Sequence, residues 1–465
     1  MKKSIFAAVA LVLLGAAYAG ATWWSGVSYQ QAMSEKLQRI SERYPFVQVV
    51  AHDYQPGFFN SSEEIVLGFG CGGDEHDPIS QALLPEKQIK LHSSVRHGPF
   101  LGASGFGLAS FETAPVFSEE AKTALARIFK GADPLKISGK LSYSGDSTLQ
   151  ILVSGATFPP GNENSPETTS WQPLEIGLRF DEHLKHFDGN LHWPHLTIGL
   201  RDGYSIRLDG LSIRANKNEE MEFLFLGEEE YGLDHLDIVF PSLEEEIQKP
   251  GELTNILAEK IHFSSRSKLD DGLVSTSSQA QMQNLKNIGG QNFGPGKFTG
   301  SARNLDAQAL AALNRMYGPG KLLRCEQGSP DIDELDTLLV GLLKRDPAME
   351  ANLDLDTSEG KVLSGIRMQS SGMTEENFNF LDALSKIGIA FDLQWPETLP
   401  GKIATQGKSP EEAEQIQAGL QKQINEGVVK NFLIREGASI KTRIELKEGR
   451  LQINGKPAPL PFLPS

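Results

Sequence analysis

Met1-Lys2-Lys3 gives way to an almost unbroken apolar run from Ile5 to Trp24, and beyond Trp24 the chain reads as a water-soluble protein. About 20 apolar residues at 1.5 Å each match a hydrocarbon core about 30 Å thick. The run therefore predicts export, with Lys2 and Lys3 held on the cytoplasmic side and the remaining chain on the far side of the membrane. Two outcomes stand open. Ala17-Tyr18-Ala19 is an A-x-A-like site, and cleavage after Ala19 would release a soluble product. The run continues past that site to the interface-seeking pair Trp23-Trp24, which favours an uncleaved, single-pass signal anchor. Gly15 with Ala19, and Ala16 with Gly20, are small-xxx-small pairs through which two anchors could meet, so a homodimer is one expectation.

Sixty Asp and Glu against 44 Lys and Arg give a net charge of −16, which repels phosphate backbones and excludes nucleic acid as an expected partner. The 46 Gly and 25 Pro supply the turns that many short antiparallel strands need. Cys71 and Cys325 are too few for a disulfide framework, and spacing leaves open whether they pair or stay free.

Along the chain, Tyr29, Met33, Leu37, Ile40 and Tyr44 form the apolar stripe of a helix stopped by Pro45, either a stalk or a helix packed on the body. From Phe46 the period becomes two. Val47 to Ala51 and Ile65 to Phe69 read as a hairpin, followed by a strand over Gln88 to Val95, a helix over Ser118 to Lys130 and a hairpin over Leu135 to Val153. Leu174 to Phe180, Leu191 to Leu200, Ser205 to Arg214, Met221 to Leu226 and Leu233 to Phe240 extend the meander, with turns placed at Asp188-Gly189-Asn190 and Asn216-Lys217-Asn218. Ser242 to Lys260, acidic and partly helical in pattern, marks the main boundary. Strands over Ile261 to Lys268, Leu273 to Asn284 and from Phe298 follow, with helices over Leu305 to Tyr317, Ile332 to Lys344, Thr374 to Ser385 and Ser409 to Glu426. Hairpins over Ala348 to Gln369 and Ser439 to Ile453 complete the pattern. The expected fold is α+β: a membrane helix (1–24), a juxtamembrane helix (25–45), a β-rich part (46–241), a connecting segment (242–260) and an α+β part (261–465), mostly antiparallel with interspersed helices.

Several landmarks in order resemble one family. They are the apolar segment and its helix, Tyr54-x-x-Gly57-Phe58 with Ser61 behind it, His97-Gly98-Pro99, Asn304-Leu305-Asp306-Ala307, and Gly449-x-Leu451-x-x-Asn454-Gly455. Together these resemble the YdgA-like family of Gram-negative envelope proteins, a family defined by a domain of unknown function. Gln55-Pro56 departs from the charged pair expected in the first motif, and Cys71 to His76 is a local peculiarity. The resemblance implies a periplasmic body tethered to the inner membrane and supplies no catalytic residues.

His183, His186, His192 and His195, with Asp181, Glu182 and Asp188, have zinc-type donors, but positions three apart on a strand face opposite ways, so solvated hairpin histidines are the simpler reading. Cys71, Asp74, His76 and Asp77 form a second donor group in a Gly-rich loop. Gly294 to Lys297 and Gly318 to Lys321 are Gly-Pro-Gly-Lys runs without the Ser or Thr and upstream glycine of a phosphate loop, and Gly102-x-x-Gly105-x-Gly107 lacks dinucleotide spacing. Ser265 to Lys268 matches S-x-x-K without its companion motifs, and His97 has no evident nucleophile beside it. No catalytic residue, metal site or cofactor is expected. The expectation is a non-enzymatic protein whose β surface binds an apolar envelope ligand such as lipid, the ligand-binding residues being unassigned. Assembly through protein contacts, or an unrecognised hydrolase, are the alternatives.

Overall fold

The structure is a computed structural model that describes residues 2–71, 88–158, 168–199, 204–241, 253–288, 291–318, 324–325, 332–373, 385–406 and 408–459; of 2–10, 241, 253–254, 287–288 and 332–337 it describes the backbone alone. The first element, α1 (Lys2–Arg43), is one continuous helix of 42 residues, so the apolar run and the amphipathic stretch are a single rod. Its last backbone bond, Tyr44 N–H to Ile40 O, precedes Pro45, which has no N–H with which to continue. Among the described residues no helix is long and apolar enough to cross a membrane. The run from Ile5 to Trp24 lies partly outside them, because no side chain before Leu11 is described.

The chain divides into two compact units whose segments interleave. The first comprises 1–156, 172–192 and 314–329, and the second 157–171, 193–313 and 330–465. In the first, β1 (Val47–Gln55), β2 (Asn60–Phe69), β3 (Gln88–His97), β4 (Ala109–Pro115), β5 (Leu135–Leu141) and β6 (Ser147–Val153) each pair antiparallel with the next. After β7 (Ala156–Phe158) and β8 (Thr168–Trp171), β9 (Leu174–Phe180) joins β6, and the start of β10 (His186–Gly199) joins β9. The helix α2 (Glu119–Ile128) starts at Ser118, whose hydroxyl accepts from Ala121 N–H as an N-cap.

Tyr29 of α1 is completely buried against Val95, Ala109, Phe111 and Leu141, so the helical stripe packs onto this sheet rather than projecting as a stalk. The helix runs antiparallel to β1. Tyr54 O–H reaches Gly26 O at 3.4 Å, and Val49 N–H reaches Ser41 Oγ at 3.2 Å. Farther on, Cys71 and Cys325 form a disulfide with Cα atoms 5.0 Å apart, which resolves the alternative left by spacing.

The second unit is a longer meander. It contains β11 (Ser205–Met221), β12 (Leu224–Pro241), β13 (Leu253–Asp270), β14 (Leu273–Met282), β15 (Asn284–Ile288) and β16 (Gln291–Asp306). Helices α3 (Ala307–Tyr317) and α4 (Ile332–Leu343) precede β17 (Ala348–Thr357), β18 (Gly360–Ser370) and β19 (Ile387–Pro396). Then come α5 (Leu399–Ala404), α6 (Pro410–Val429), β20 (Ile434–Glu436), β21 (Ser439–Lys447), β22 (Arg450–Ile453) and β23 (Lys456–Ala458). β13 pairs both β14 and β15, and β19 pairs with β21, across the intervening helices and β20. Ser409 and Glu412 form a capping box on α6.

The observed ladders correct two expected turns and hold a third run of turn residues inside a strand. Asp188-Gly189-Asn190 lies inside β10, and the chain reverses instead over 181–185, with Leu184 in the left-handed region. Asn216-Lys217-Asn218 lies inside β11, which continues to Met221 before turning at Phe223, φ 67°. Gly294 to Lys297 lies inside β16, where pairing to β17 shifts register between Phe293 and Gly296. In each case pairing to a neighbouring strand overrides a local preference for turning. The helix expected within Ser242 to Lys260 is strand from Leu253 onward, and 242–252 lie outside the described residues, as do 374–384 of the helix expected at Thr374 to Ser385.

Candidate functional site

Three residues of the first two sequence motifs, Tyr54, Ser61 and His97, lie on β1, β2 and β3; the first two share a hairpin, and His97, 36 residues beyond Ser61, comes beside them in the sheet. Ser61 Oγ stands 2.7 Å from His97 Nε2, and Tyr54 O–H donates to the same Oγ at 2.7 Å. Gly57 N–H also donates to Ser61 Oγ, at 3.2 Å, and His97 Nδ1 faces Phe58 O at 3.2 Å. One proton assignment satisfies the group: Tyr54 and Gly57 donate to Ser61, Ser61 donates to Nε2, and Nδ1–H donates to Phe58. Burial lowers the His97 pKa below its ordinary value, opposed by the Phe58 carbonyl, and the neutral ring fits that assignment.

Beside it lies a second buried group. Glu63 accepts from Tyr29 O–H at 2.8 Å and from His52 Nε2 at 2.7 Å. Burial first, and then the Glu63 carboxylate, push the Tyr29 phenol well above its ordinary range. Both groups receive α1. Gly26 lies flat against the imidazole, where a Cβ would stand 2.5 Å from two of its ring atoms, so that position admits no side chain.

The Ser61–His97 spacing is that of a nucleophile and its base. Two features oppose that use: His97 is oriented by a carbonyl rather than a carboxylate, and both side chains are buried, 6% and 3% exposed. The geometry makes a polar joint that fixes the helix to the sheet.

The other motifs are also joints. Asn304 takes a left-handed φ of 59° while its Nδ2 donates to Asp346 O, and Asp306 Oδ1 accepts Ala309 N–H at the start of α3. Asn454, at φ 49°, accepts from Arg443 N–H and donates to Asn431 O. Sequence reasoning named Tyr54, Ser61 and His97 but gave Ser61 no role, and it missed Gly26, Tyr29–Glu63 and His52. The available signal was a hydroxyl, a carboxylate and an imidazole at inward positions of strands with alternating pattern.

The histidine-rich stretch does not converge. Asp181 accepts the backbone N–H groups of Lys185 and His186, which lower its pKa against the opposing effect of burial. His183 faces Glu182 at 3.6 Å, while His195, in the second unit, pairs with Asp209 at 2.5 Å. Among the described residues no group of three or more His, Cys, Asp or Glu is placed to hold a metal ion. Asp74, His76 and Asp77 lie outside them, as do 319–321 of the second Gly-Pro-Gly-Lys run; Ser265 to Lys268 lies within β13.

Fold and joints define a class: an antiparallel β-rich protein whose amino-terminal helix is built into its first sheet. The chain belongs to the family described as bacterial protein of unknown function (DUF945), whose pattern matches residues 1–461. It is 24% identical over 339 residues to Protein YdgA of Escherichia coli (strain K12), an alignment covering 68% of this chain and 62% of that protein. No solved structure matches.

Proposed function

We propose that the chain is a non-enzymatic protein of the bacterial envelope, tethered to the inner membrane through Ile5 to Trp24 with its β units in the periplasm, and that the second unit binds an apolar ligand such as lipid. The observation that carries the binding reading is a continuous apolar face. Ile213, Tyr231, Phe263, Ala280, Phe298 and Leu353 stand directly opposite one another across β11, β12, β13, β14, β16 and β17. Directly paired residues of antiparallel strands share a face. A neighbouring row on that face, Ala351, Ile366, Phe391 and Ile444, extends it to β21. The other face carries the ion pairs of Arg367 and Arg443 with Asp392, as a solvated face does. Yet the apolar face is only half covered, with Ile366 46% and Phe298 36% exposed, and a contiguous apolar patch of this kind marks a binding surface.

The test is native mass spectrometry of the full chain released gently from its membrane, wild type against a Phe298→Glu, Ile366→Glu double variant. Lipid adducts on the wild type that are lost from the folded variant support the reading. Equal lipid counts on both would overturn it, and a stoichiometric protein partner in place of lipid would favour assembly.

A further inference from the structure

The amino-terminal end of the first unit carries a second apolar surface, distinct from the sheet face just described. Because α1 runs antiparallel to β1, its Gly26 level coincides with one end of the sheet, where three loops emerge: 55–60 between β1 and β2, 98–108 between β3 and β4, and 142–146 between β5 and β6. Gln55 to Asn60 and Gly98 to Leu108 contain no charged residue among 17, where the chain's 22% average would supply about four. The tips instead present aromatic pairs. Phe58 and Phe59 meet edge to face at 4.8 Å, and Phe100 and Phe106 at 5.5 Å. These rings are turned outward: Phe59 is 53% exposed and Phe106 71%. In the third loop, Tyr143 stacks on Trp24 of α1 at 6.1 Å, and its hydroxyl lies 3.4 Å from Ser25 Oγ.

The other end of the same sheet differs. There Val116 N–H bonds Lys90 O, and the same connection, from β4 to β5, carries Lys130 and Asp133. The apolar segment of α1, with Leu11 to Leu14 exposed, leaves from the aromatic end alone, and the joint at Gly26 and Tyr29 leaves no hinge between segment and sheet. Aromatic side chains with few charges beside them suit the headgroup boundary of a bilayer.

We propose that this rim, formed by Phe58, Phe59, Phe100, Phe106 and Tyr143, sits in the headgroup region of the bilayer from which α1 emerges, so that the first unit lies on the membrane surface. The inference rests on the reading of Ile5 to Trp24 as a membrane span, and adds that the sheet end itself contacts lipid.

Photo-crosslinking of the full chain, reconstituted in vesicles of phosphatidylethanolamine and phosphatidylglycerol, separates the two. The photoreactive residue p-benzoylphenylalanine replaces Leu13, Phe59, Phe106 or Val116 singly, and lipid adducts are counted by mass spectrometry. Adducts at Leu13, Phe59 and Phe106 at least tenfold above Val116 are expected. Strong adducts at Leu13 with Phe59 and Phe106 at the Val116 level would overturn the rim and leave the tether standing. No adducts at Leu13 would overturn the tether, and the rim with it.

Discussion

Gly26→Ala should loosen the first unit although alanine is the better helix former. In an exposed helix interior the change would add about 1 kcal/mol of helix stability. At Gly26 the new methyl would stand 2.5 Å from Cε1 and Nδ1 of His97, where carbon contacts relax to about 3.5–4.0 Å. Relief requires the ring to move by about 1 Å, which breaks its contacts to Ser61 at 2.7 Å and Phe58 at 3.2 Å. Two buried hydrogen bonds at about 1 kcal/mol each, and about 1–3 kcal/mol of overpacking, outweigh the helical gain. The net loss is about 2–4 kcal/mol, or roughly 30- to 700-fold in local opening. Hydrogen exchange of peptides from β1 to β4 in the full chain reads that opening. Gly419→Ala, in α6 with nothing within 4 Å of its Cβ position, is the internal control and should stabilise. In a His97→Ala background only the helical gain remains, so Gly26→Ala should stabilise by about 1 kcal/mol, giving a coupling of about 4 kcal/mol. If Gly26→Ala protects the first unit as Gly419→Ala protects α6, the helix does not lie on His97 and the argument fails.

Tyr29→Phe removes one donor to buried Glu63 and should cost about 1–3 kcal/mol, seen as faster exchange in β2; unchanged exchange would show that His52 suffices. Because folding lowers the His97 pKa, its stabilisation is complete above the unfolded value of about 6.5 and declines as pH falls from there through the folded value. Relative to His97→Gln, wild type should therefore lose protection between pH 7.5 and pH 5, and parallel profiles would refute a buried neutral ring. The Cys71–Cys325 bridge spans 254 residues, and chain entropy assigns it on the order of 5 kcal/mol. Thermal unfolding with and without reductant should show a large drop, matched by a Cys71→Ser, Cys325→Ser chain; coincident curves would mean that the unfolded chain gains nothing from release.

Much of the meander was legible because alternation and turn chemistry act locally. The β1–β2 hairpin, the Ser118 and Ser409 caps and the β17–β18 and β21–β22 hairpins follow from residues close in sequence. What failed was turn placement inside long strands. Asp188-Gly189-Asn190 and Asn216-Lys217-Asn218 have turn residues, but neighbouring strands keep them extended, a fact of pairing rather than of local preference. Ala109–Pro115 and Ile387–Pro396 escaped notice for related reasons: the first is short, and the second is nearly continuously apolar, so neither alternates clearly. The joint at His97 was half legible. Its motif was visible, yet its partners come from three strands and a helix, and the order of motifs in a sequence carries no distances.

The bridge at Cys325 also bears on the order in which the protein can be completed. The first unit needs 314–329, which arrive only after β11 to β16 have been made. A chain delivered amino end first would thus form α1 and its sheet early, hold Cys71 as an unpaired thiol through the synthesis of about half of the second unit, and seal the first unit only then. Its oldest segment would wait for a cysteine 254 residues downstream to be locked.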